Sequence, residues 1–272
     1  MFKRSFRTND RVEKAVKLKK NSSRDAAKLA KLKQSFEQSS PGSSSLTSRI
    51  VTFTVGKEGR LFAAHEDVLS LSPFFTAACR GNIRESQSMR INLPGEEPEI
   101  FSCVLEYLYK GDYYPRLMHN KRRSSWELED AEKSPNPENP GGRGSIEATT
   151  YISTVGQPLL KDTVIYCAAE KYGLEELKRL ALRKQGLQSG IEVATILRSA
   201  RYAYDNTPDT DSRLRAHYLA LIIRCRKTFK RSGTMQTEME SGGKLFFDLF
   251  VALCNHVDDI VDVGNARSPM TV

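Results

Sequence analysis

The chain has 272 residues, of which 39% are hydrophobic and 28% are charged, and its formal net charge is +9. This composition is typical of a soluble globular protein with some unfolded sequence attached. No apolar run approaches the roughly 20 residues that span a bilayer, and no apolar core follows the basic first residues, so we expect neither a membrane partner nor a secretory signal.

The first 48 residues form a basic segment in which twelve lysines and arginines stand against four acidic residues, a net charge of +8. Apolar residues are sparse, and the segment closes in the serine-rich stretch Ser39–Ser45, which is typical of a linker. The composition predicts a disordered tail. Two functional alternatives stay open: a nuclear import signal, and an electrostatic contact with nucleic acid or anionic lipid.

Alternating apolar and polar side chains predict a small sheet after the tail. Val51–Val55 alternates with β-branched and aromatic residues, which indicates a half-buried strand. Gly59 lies in a turn that lets Leu61–Ala64 return as the hairpin partner. Met89–Leu93 alternates in the same way and predicts a third strand.

Helical segments are predicted between and after these strands. His65 opens the first, and Pro73 restarts the helix because proline is tolerated in a first turn. From Pro98 the apolar residues follow helical spacing; they are Ile100, Phe101, Val104, Leu105, Leu108 and Tyr109.

Three stretches of this region stand out, namely Ala64–Phe75 (AHEDVLSLSPFF), Ile91–Pro94 (INLP) and Leu105–Gly111 (LEYLYKG). Together they resemble a BTB/POZ domain, and more narrowly the BTB proteins that are abundant in filamentous fungi. The resemblance implies an α+β fold, in which a small β-sheet is flanked by a helical cluster, with an all-α C-terminal extension. It also implies a non-enzymatic module that binds protein partners, so we expect no catalytic, cofactor-binding or metal-binding residue.

Four residues are assigned to the structural motif of the domain: His65, Leu69, Ser72 and Phe75. His65 and Glu66 begin like a metalloprotease helix, but leucine occupies position 69, where a second histidine ligand would be required. We therefore expect His65 to be a structural histidine between strand and helix, with one ring nitrogen bonded to the backbone.

Ile83 and Glu85 are the candidate partner-binding residues. They lie between the second helical segment and the third strand, where an apolar-x-Glu triplet contacts a cullin scaffold in many BTB domains. An exposed apolar side chain beside a carboxylate combines a small hydrophobic contact with a charge that fixes orientation. The structural alternative, in which Glu85 caps or pairs locally and Ile83 packs inward, stays open.

Homodimerisation is also left open. The first strand of many dimeric BTB domains opens with an aspartate that helps to build a charged pocket at the subunit interface, and here Ile50 occupies that place. The apolar side chain of Ile50 can instead serve a different contact.

Residues 115–160 interrupt the pattern with prolines, glycines and runs of charge. Because compact domains rarely contain a structureless loop beyond roughly 15 residues, we expect an inserted, extended loop within a domain that spans residues 49–186. Trp126, the one tryptophan, is expected to dock back on the domain, with a role in partner contact as the alternative.

Helical order resumes at residue 161. Gly173 is expected to cap a helix, and residues 168–177 again resemble the helical pair of the fungal BTB proteins. Residues 187–263 predict a helical extension of three helices with a loop at 232–243, and residues 264–272 a tail. Leu245–Leu253 is apolar nearly all round, so it is expected to be buried against the other helices or a second subunit.

Cysteine usage adds one constraint on location. The chain has five cysteines, Cys79, Cys103, Cys167, Cys225 and Cys254, without a C-x-x-C pair. Their odd number and wide spacing predict neither a zinc site nor a disulfide framework. We expect a reducing intracellular location, in the cytoplasm or the nucleus.

The function predicted from these features is an adaptor or oligomerisation unit, and in a sharper version an adaptor for a cullin-type ubiquitin ligase. The alternative is a nuclear regulatory protein whose basic tail contacts nucleic acid, although the sequence shows no zinc-finger or helix-turn-helix pattern. An enzyme is not predicted, since the sequence contains neither a phosphate-binding glycine loop nor a nucleophile elbow.

Overall fold

The computed structural model describes residues 48–81, 89–122, 124–129, 148–188 and 190–267. Within these ranges no helix is long and apolar enough to cross a membrane. The described strands are Ile50–Val55 (β1), Arg60–His65 (β2), Met89–Leu93 (β3), Leu117–Asn120 (β4), Ser125–Leu128 (β5), Thr149–Ile152 (β6) and Gln157–Leu160 (β7).

The described helices fall into two groups along the chain. Those of the first part are Glu66–Leu69 (α1), Pro73–Gly81 (α2), Pro98–Lys110 (α3), Lys161–Tyr172 (α4) and Glu175–Gln185 (α5). Those of the second part are Val193–Asn206 (α6), Arg213–Arg224 (α7), Arg226–Phe229 (α8), Gly233–Glu240 (α9) and Lys244–Arg267 (α10).

The first three strands form one sheet in the order β2–β1–β3. β1 pairs antiparallel with β2 and parallel with β3, and Phe53 stands opposite Phe62 on one side and Ile91 on the other. Side chains alternate between the faces of a strand, so Val51, Phe53 and Val55 all point inward and are fully buried. The predicted hairpin and the third strand are confirmed.

α3 lies across the inner face of this sheet. It begins at Pro98 and ends at Lys110. Gly111 follows with a left-handed φ of 73°, and its N–H donates to the Tyr107 carbonyl over 2.7 Å, the usual role of glycine after a helix. The predicted inward side of α3 is buried, with Ile100, Phe101, Val104, Leu105 and Leu108 in the core. Each such side chain contributes about 1.5–3 kcal/mol through burial.

An aromatic cluster joins the sheet to the helices. The ring of Phe53 lies 5.6 Å from that of Phe75 and 5.1 Å from that of Phe101, and the ring of Phe75 lies 4.8 Å from that of Tyr172. The Phe53–Phe75 pair is T-shaped, a favoured geometry for aromatic rings. The sheet, α2, α3 and α4 therefore share one core.

α4 and α5 form a pair on either side of Gly173, as predicted. Gly173 has a φ of 70°, and its N–H donates to the Glu170 carbonyl while that of Leu174 donates to the Ala169 carbonyl. A Cβ atom on Gly173 would lie 3.2 Å from Cδ of Pro73. Glycine is required here both by the backbone conformation and by the close approach of α2.

Residues 115–160 contain two hairpins, where the sequence predicted an extended loop. β4 pairs with β5 and β6 with β7, both antiparallel. Ile152, Leu159 and Leu160 are buried in the main core, which explains why β6 and β7 are ordered: their apolar residues have a surface to pack against. The proline-rich stretch from 130 to 147 lies outside the described residues.

Trp126 on β5 contacts the helical pair, in agreement with the predicted docking. Its ring lies 4.9 Å from the ring of His119 on β4, and the Arg183 guanidinium of α5 stands 5.3 Å from its centroid, within the range of a cation–π interaction. The side chain is still 41% exposed, so the hairpin rests against α5 without entering the core.

The secondary structure described in the C-terminal part is helical, as predicted, but it comprises five helices, α6 to α10, where three were expected. Residues 232–243 were expected to form a loop, and the structure places α9 there with Met235 buried. The three glycines of this stretch lie at its ends, Gly233 at the start of α9 and Gly242 and Gly243 after it, so they bound the helix without interrupting it. α10 runs to Arg267, past the predicted boundary at residue 263.

Candidate partner-binding surface

The two predicted partner-contact residues, Ile83 and Glu85, lie outside the described residues. The elements on either side of them are described: α2 ends at Gly81 and β3 begins at Met89. β3 is hydrogen-bonded to β1, and α2 packs into the core through Phe75.

His65 fixes the junction between β2 and α1. Its Nδ1 lies 2.7 Å from the Tyr109 hydroxyl, with which it shares a hydrogen bond, and its backbone N–H donates to the same hydroxyl over 2.9 Å. The sequence analysis expected one ring nitrogen to bond to the backbone, whereas the partner that the structure gives to Nδ1 is a side chain of α3. Because Tyr109 follows His65 by 44 residues, local sequence could not reveal the pair.

Leu69 and Phe75 are fully buried core residues. Leu69 ends α1, and Phe75 lies in the first turn of α2 and contacts the rings of Phe53 and Tyr172. These two side chains attach α1 and α2 to the core that lies under the sheet.

Ser72 joins the start of α2 to the end of α4. Its buried hydroxyl donates to the Tyr172 carbonyl over 2.6 Å and accepts from the N–H of Phe75 over 3.3 Å. A serine that precedes a helix in this way satisfies one of the free N–H groups of the first turn. The structure therefore brings Ser72, Phe75 and Tyr172 together.

Two exposed apolar side chains lie on the outer face of the sheet. Ile50 begins β1 and is 60% exposed, and Leu61 on β2 is 70% exposed. Leu61 stands opposite Thr54, which lies on the same face of β1 as Ile50. Ile50 and Leu61 therefore share one face of the sheet but lie near opposite ends of β1. Scattered apolar residues of this kind are common on protein surfaces and by themselves indicate no partner.

A buried lysine, which sequence reasoning missed, connects α3 to α5. The Lys184 ammonium donates to the Asp112 carboxylate, to the Tyr113 carbonyl and to the Pro115 carbonyl, and lies 3.6 Å from the Tyr113 ring centroid. Burial lowers the pKa of Lys184, and the Asp112 carboxylate opposes this shift. The spacing of α5 gives no signal for this role, because lysine is an ordinary residue of an exposed helix face.

A second ionic cluster joins α4 and α5 to the turn before α7. Lys178 Nζ lies 2.6 Å from the Asp211 carboxylate and also donates to Glu170, and the Tyr166 hydroxyl donates to Asp211 over 2.8 Å. Although burial acts to raise it, these hydrogen bonds hold the pKa of Asp211 below its ordinary value. Burial and the neighbouring Asp211 carboxylate raise the pKa of Tyr166.

Comparison with known proteins identifies one domain of this chain. The family model of the BTB/POZ domain matches residues 49–121, which run from β1 to the end of β4. Over 55 residues the chain is 40% identical to Kelch-like protein 38 of Danio rerio, covering 20% of this chain and 9% of that protein. Over 54 residues it is 41% identical to Kelch-like protein 21 of Homo sapiens, with the same coverage of 20% and 9%.

The chain thus spans less than a tenth of the length of the curated relatives it matches, so the likeness concerns one domain and not the whole proteins. The narrower resemblance to fungal proteins stays a prediction, as does the domain boundary at residue 186. Within the matched stretch, the sheet β2–β1–β3 and the helices α1–α3 agree with the fold that the sequence predicted. Residues 49–121 of this chain form a BTB/POZ domain.

Proposed function

We propose that the protein is a non-enzymatic protein-interaction module, acting as an adaptor or an oligomerisation unit. The observation that carries the proposal is the match of residues 49–121 to the BTB/POZ family. The motif residues support it: His65 binds Tyr109, Ser72 binds Tyr172, and Leu69 and Phe75 lie in the core. These side chains make contacts within the domain and stabilise it, so partner binding falls to the exposed residues of the domain.

Cross-linking mass spectrometry in cells tests this broad proposal. Lys57 and Lys110 are exposed lysines on the matched domain. We expect them to form cross-links to another protein or to a second copy of the chain. Cross-links confined to a single chain at both lysines would contradict the proposal.

The sharper form of the proposal is an adaptor that binds a cullin scaffold through Ile83 and Glu85. Two considerations favour this segment. It lies inside the matched domain, and both of its ends belong to elements attached to the core, α2 and β3. An apolar contact beside a carboxylate gives both binding energy and orientation.

The test is a titration of a purified cullin with the full chain and with the double variant Ile83→Asp/Glu85→Ala. We expect the double variant to lose at least about tenfold in affinity, since truncation of a central interface residue commonly costs more than 1 kcal/mol. The matched control is Arg84→Ala/Ser86→Ala, two changes in the same segment that should leave the affinity nearly unchanged. Equal affinity of the intact chain and the Ile83→Asp/Glu85→Ala variant would exclude this site.

One observation favours a second candidate function, a nuclear regulator: the net charge of +8 on the first 48 residues. Such a segment attracts the phosphates of nucleic acid through a contact that weakens steeply with salt. Binding of duplex DNA should be measured across salt concentrations with the full chain and with a chain lacking residues 1–48. Equal binding by both would exclude the tail as a nucleic-acid contact.

A further inference from the structure

The last helix, α10, has two apolar faces. The first is used within the chain: Leu245 and Leu249 are buried, and Leu249 packs in a cluster with Leu197 of α6, Ile222 of α7 and Phe229 of α8. This face attaches the N-terminal half of α10 to the helical extension. It accounts for part of the apolar character that the sequence showed all round this segment.

The second face points away from the cluster and is exposed. Its residues follow one another at intervals of three and four positions, and we call them the outer stripe: Phe247, Phe250, Cys254, Val257 and Val261. Phe247 is 68% exposed, Phe250 66%, Val257 56% and Val261 51%, and Cys254 is exposed as well. Among the residues that the structure describes, none covers this stripe.

The spacing of the outer stripe indicates what kind of surface it fits. Apolar residues at alternating intervals of three and four keep a seam facing a second helix over several turns, which is the pattern of helices that pack side by side in a coiled coil. Isolated exposed apolar residues need no explanation, whereas a continuous stripe along a helix indicates an interaction surface.

We propose that the outer stripe of α10 pairs with the same stripe of a second copy of this chain, with the two helices antiparallel. A two-fold axis makes such a contact self-complementary, since the same residues meet from both sides. The contact lies outside the BTB/POZ domain at residues 49–121 and does not depend on the function proposed for it.

The charges along α10 favour the second copy and set the antiparallel direction. Lys244 begins the helix, and three exposed acidic residues lie near its other end: Asp258, Asp259 and Asp262. Two parallel copies would bring their acidic ends together, whereas antiparallel copies place each acidic end beside the basic start of the partner.

The register is consistent with this direction. Lys244 and Asp258 lie seven residues before and after Val251, which borders the outer stripe and is also exposed. In an antiparallel pair centred near Val251, Lys244 of each copy therefore stands close to Asp258 of the other. Within its own chain Lys244 lies 2.5 Å from the exposed carboxylate of Asp209, and the three donors of an ammonium allow it to serve both acids.

The stripe is tested by light scattering of the full chain and two substitutions that add the same charge to α10. Val257→Asp places the charge in the outer stripe, and Asn255→Asp places it two residues away on the polar side. We expect the wild type and Asn255→Asp to share one mass, and Val257→Asp to have half of it. Because Val257 is exposed, helicity by circular dichroism should be unchanged, and Val261→Asp serves as a second stripe variant.

Two results would overturn the proposal. One is a monomeric wild type. If a chain lacking residues 1–47 is then dimeric, the N-terminal segment occupies the stripe in the full chain in place of a second copy. The other is a wild-type oligomer whose mass neither stripe variant changes, which would place the contact elsewhere, for example on the BTB/POZ domain.

The direction is tested by reversing charges. Lys244→Glu alone and Asp258→Lys alone should each weaken self-association by about three- to tenfold, as expected for exposed pairs that occur twice in a symmetric contact. The double variant Lys244→Glu/Asp258→Lys should regain most of the loss. Asp258→Lys cannot restore the contact of Lys244 with Asp209, so any recovery of self-association reports on the pairing of two α10 helices. If the double variant self-associates more weakly than both single variants, the antiparallel arrangement is excluded.

Discussion

The hydroxyl of Ser72 donates a 2.6 Å hydrogen bond to the carbonyl oxygen of Tyr172, a residue one hundred positions further along the chain. The two residues are buried, and the ring of Tyr172 also packs 4.8 Å from that of Phe75. This contact joins the domain at residues 49–121 to α4, which lies beyond the matched stretch. The BTB/POZ domain and α4 therefore share a buried hydrogen bond and a buried aromatic contact.

Ser72→Ala is predicted to destabilise the protein by about 2 kcal/mol. The substitution removes the cap of α2, which costs about 0.5–2 kcal/mol, and deprives the buried Tyr172 carbonyl of its donor. Urea denaturation measures the change. The control is Ser70→Ala, because the Ser70 hydroxyl makes an exposed bond to the Asp67 carbonyl; similar losses for the two variants would show that the link to Tyr172 contributes little.

Gly173→Ala is predicted to cost more than Gly190→Ala. Both glycines have a left-handed φ, 70° and 73°, so both substitutions bear the backbone cost of roughly 1–2 kcal/mol. At Gly173 the new Cβ also meets Pro73 Cδ at 3.2 Å, whereas at Gly190 nothing lies within 4 Å. The difference between their unfolding free energies measures the contact with α2, and equal losses would contradict it.

Lys184→Met is predicted to lower the free energy of unfolding by about 3 kcal/mol. Removing one partner of a buried ion pair leaves the other without compensation, and the carbonyls of Tyr113 and Pro115 lose a donor as well. Arg179→Met on the same helix should cost less than about 1 kcal/mol, because the pair of Arg179 with Glu176 is exposed.

A double variant separates the ion pair from the packing of the lysine chain. In Lys184→Met/Asp112→Asn a neutral amide replaces the Asp112 carboxylate, so part of the loss in the free energy of unfolding should be recovered relative to Lys184→Met alone. If the losses from the two single substitutions simply add in the double variant, Lys184 and Asp112 are not coupled and the prediction is wrong.

Asp211 is predicted to make stability fall in acid. Its pKa in the folded state lies below the ordinary value of 3.8, so the unfolded chain binds more protons between the two values and the free energy of unfolding rises with pH there. The contribution is complete above the unfolded pKa and is lost as pH falls through the folded pKa.

Unfolding of the wild type and of Asp211→Asn should be compared at pH values from about 6 down to about 2. The wild type should be the more stable at about pH 6, and the difference in the free energy of unfolding should disappear at about pH 2. Tyr166→Phe removes one hydrogen bond to Asp211 but keeps Lys178, so the pH-dependent difference between this variant and the wild type should be smaller. If the difference between the wild type and Asp211→Asn does not change with pH, the link to Asp211 is ruled out.

The sheet and α3 were predictable because their burial repeats along the chain. A strand with one buried face alternates with a period of two, and a helix with one buried face repeats every three to four residues. Val51–Val55, Met89–Leu93 and the apolar residues of α3 follow these periods. Val51, Phe53, Val55, Ile91 and Leu93 of the strands are buried, as are Ile100, Phe101, Val104, Leu105 and Leu108 of α3. The hairpins β4–β5 and β6–β7 were missed because strands of four residues are too short to show a period.

By itself, the sequence determined the elements of the BTB/POZ domain, the helical nature of the C-terminal part and the presence of an apolar segment near its end. Only the tertiary structure decided which residues meet: His65 with Tyr109, Ser72 with Tyr172, Lys184 with Asp112. It also decided that Leu245 and Leu249 of α10 are buried while Phe247 and Phe250 are exposed. The physical reason is that local periodicity records whether a side chain is buried, whereas the identity of its partner depends on how distant segments pack.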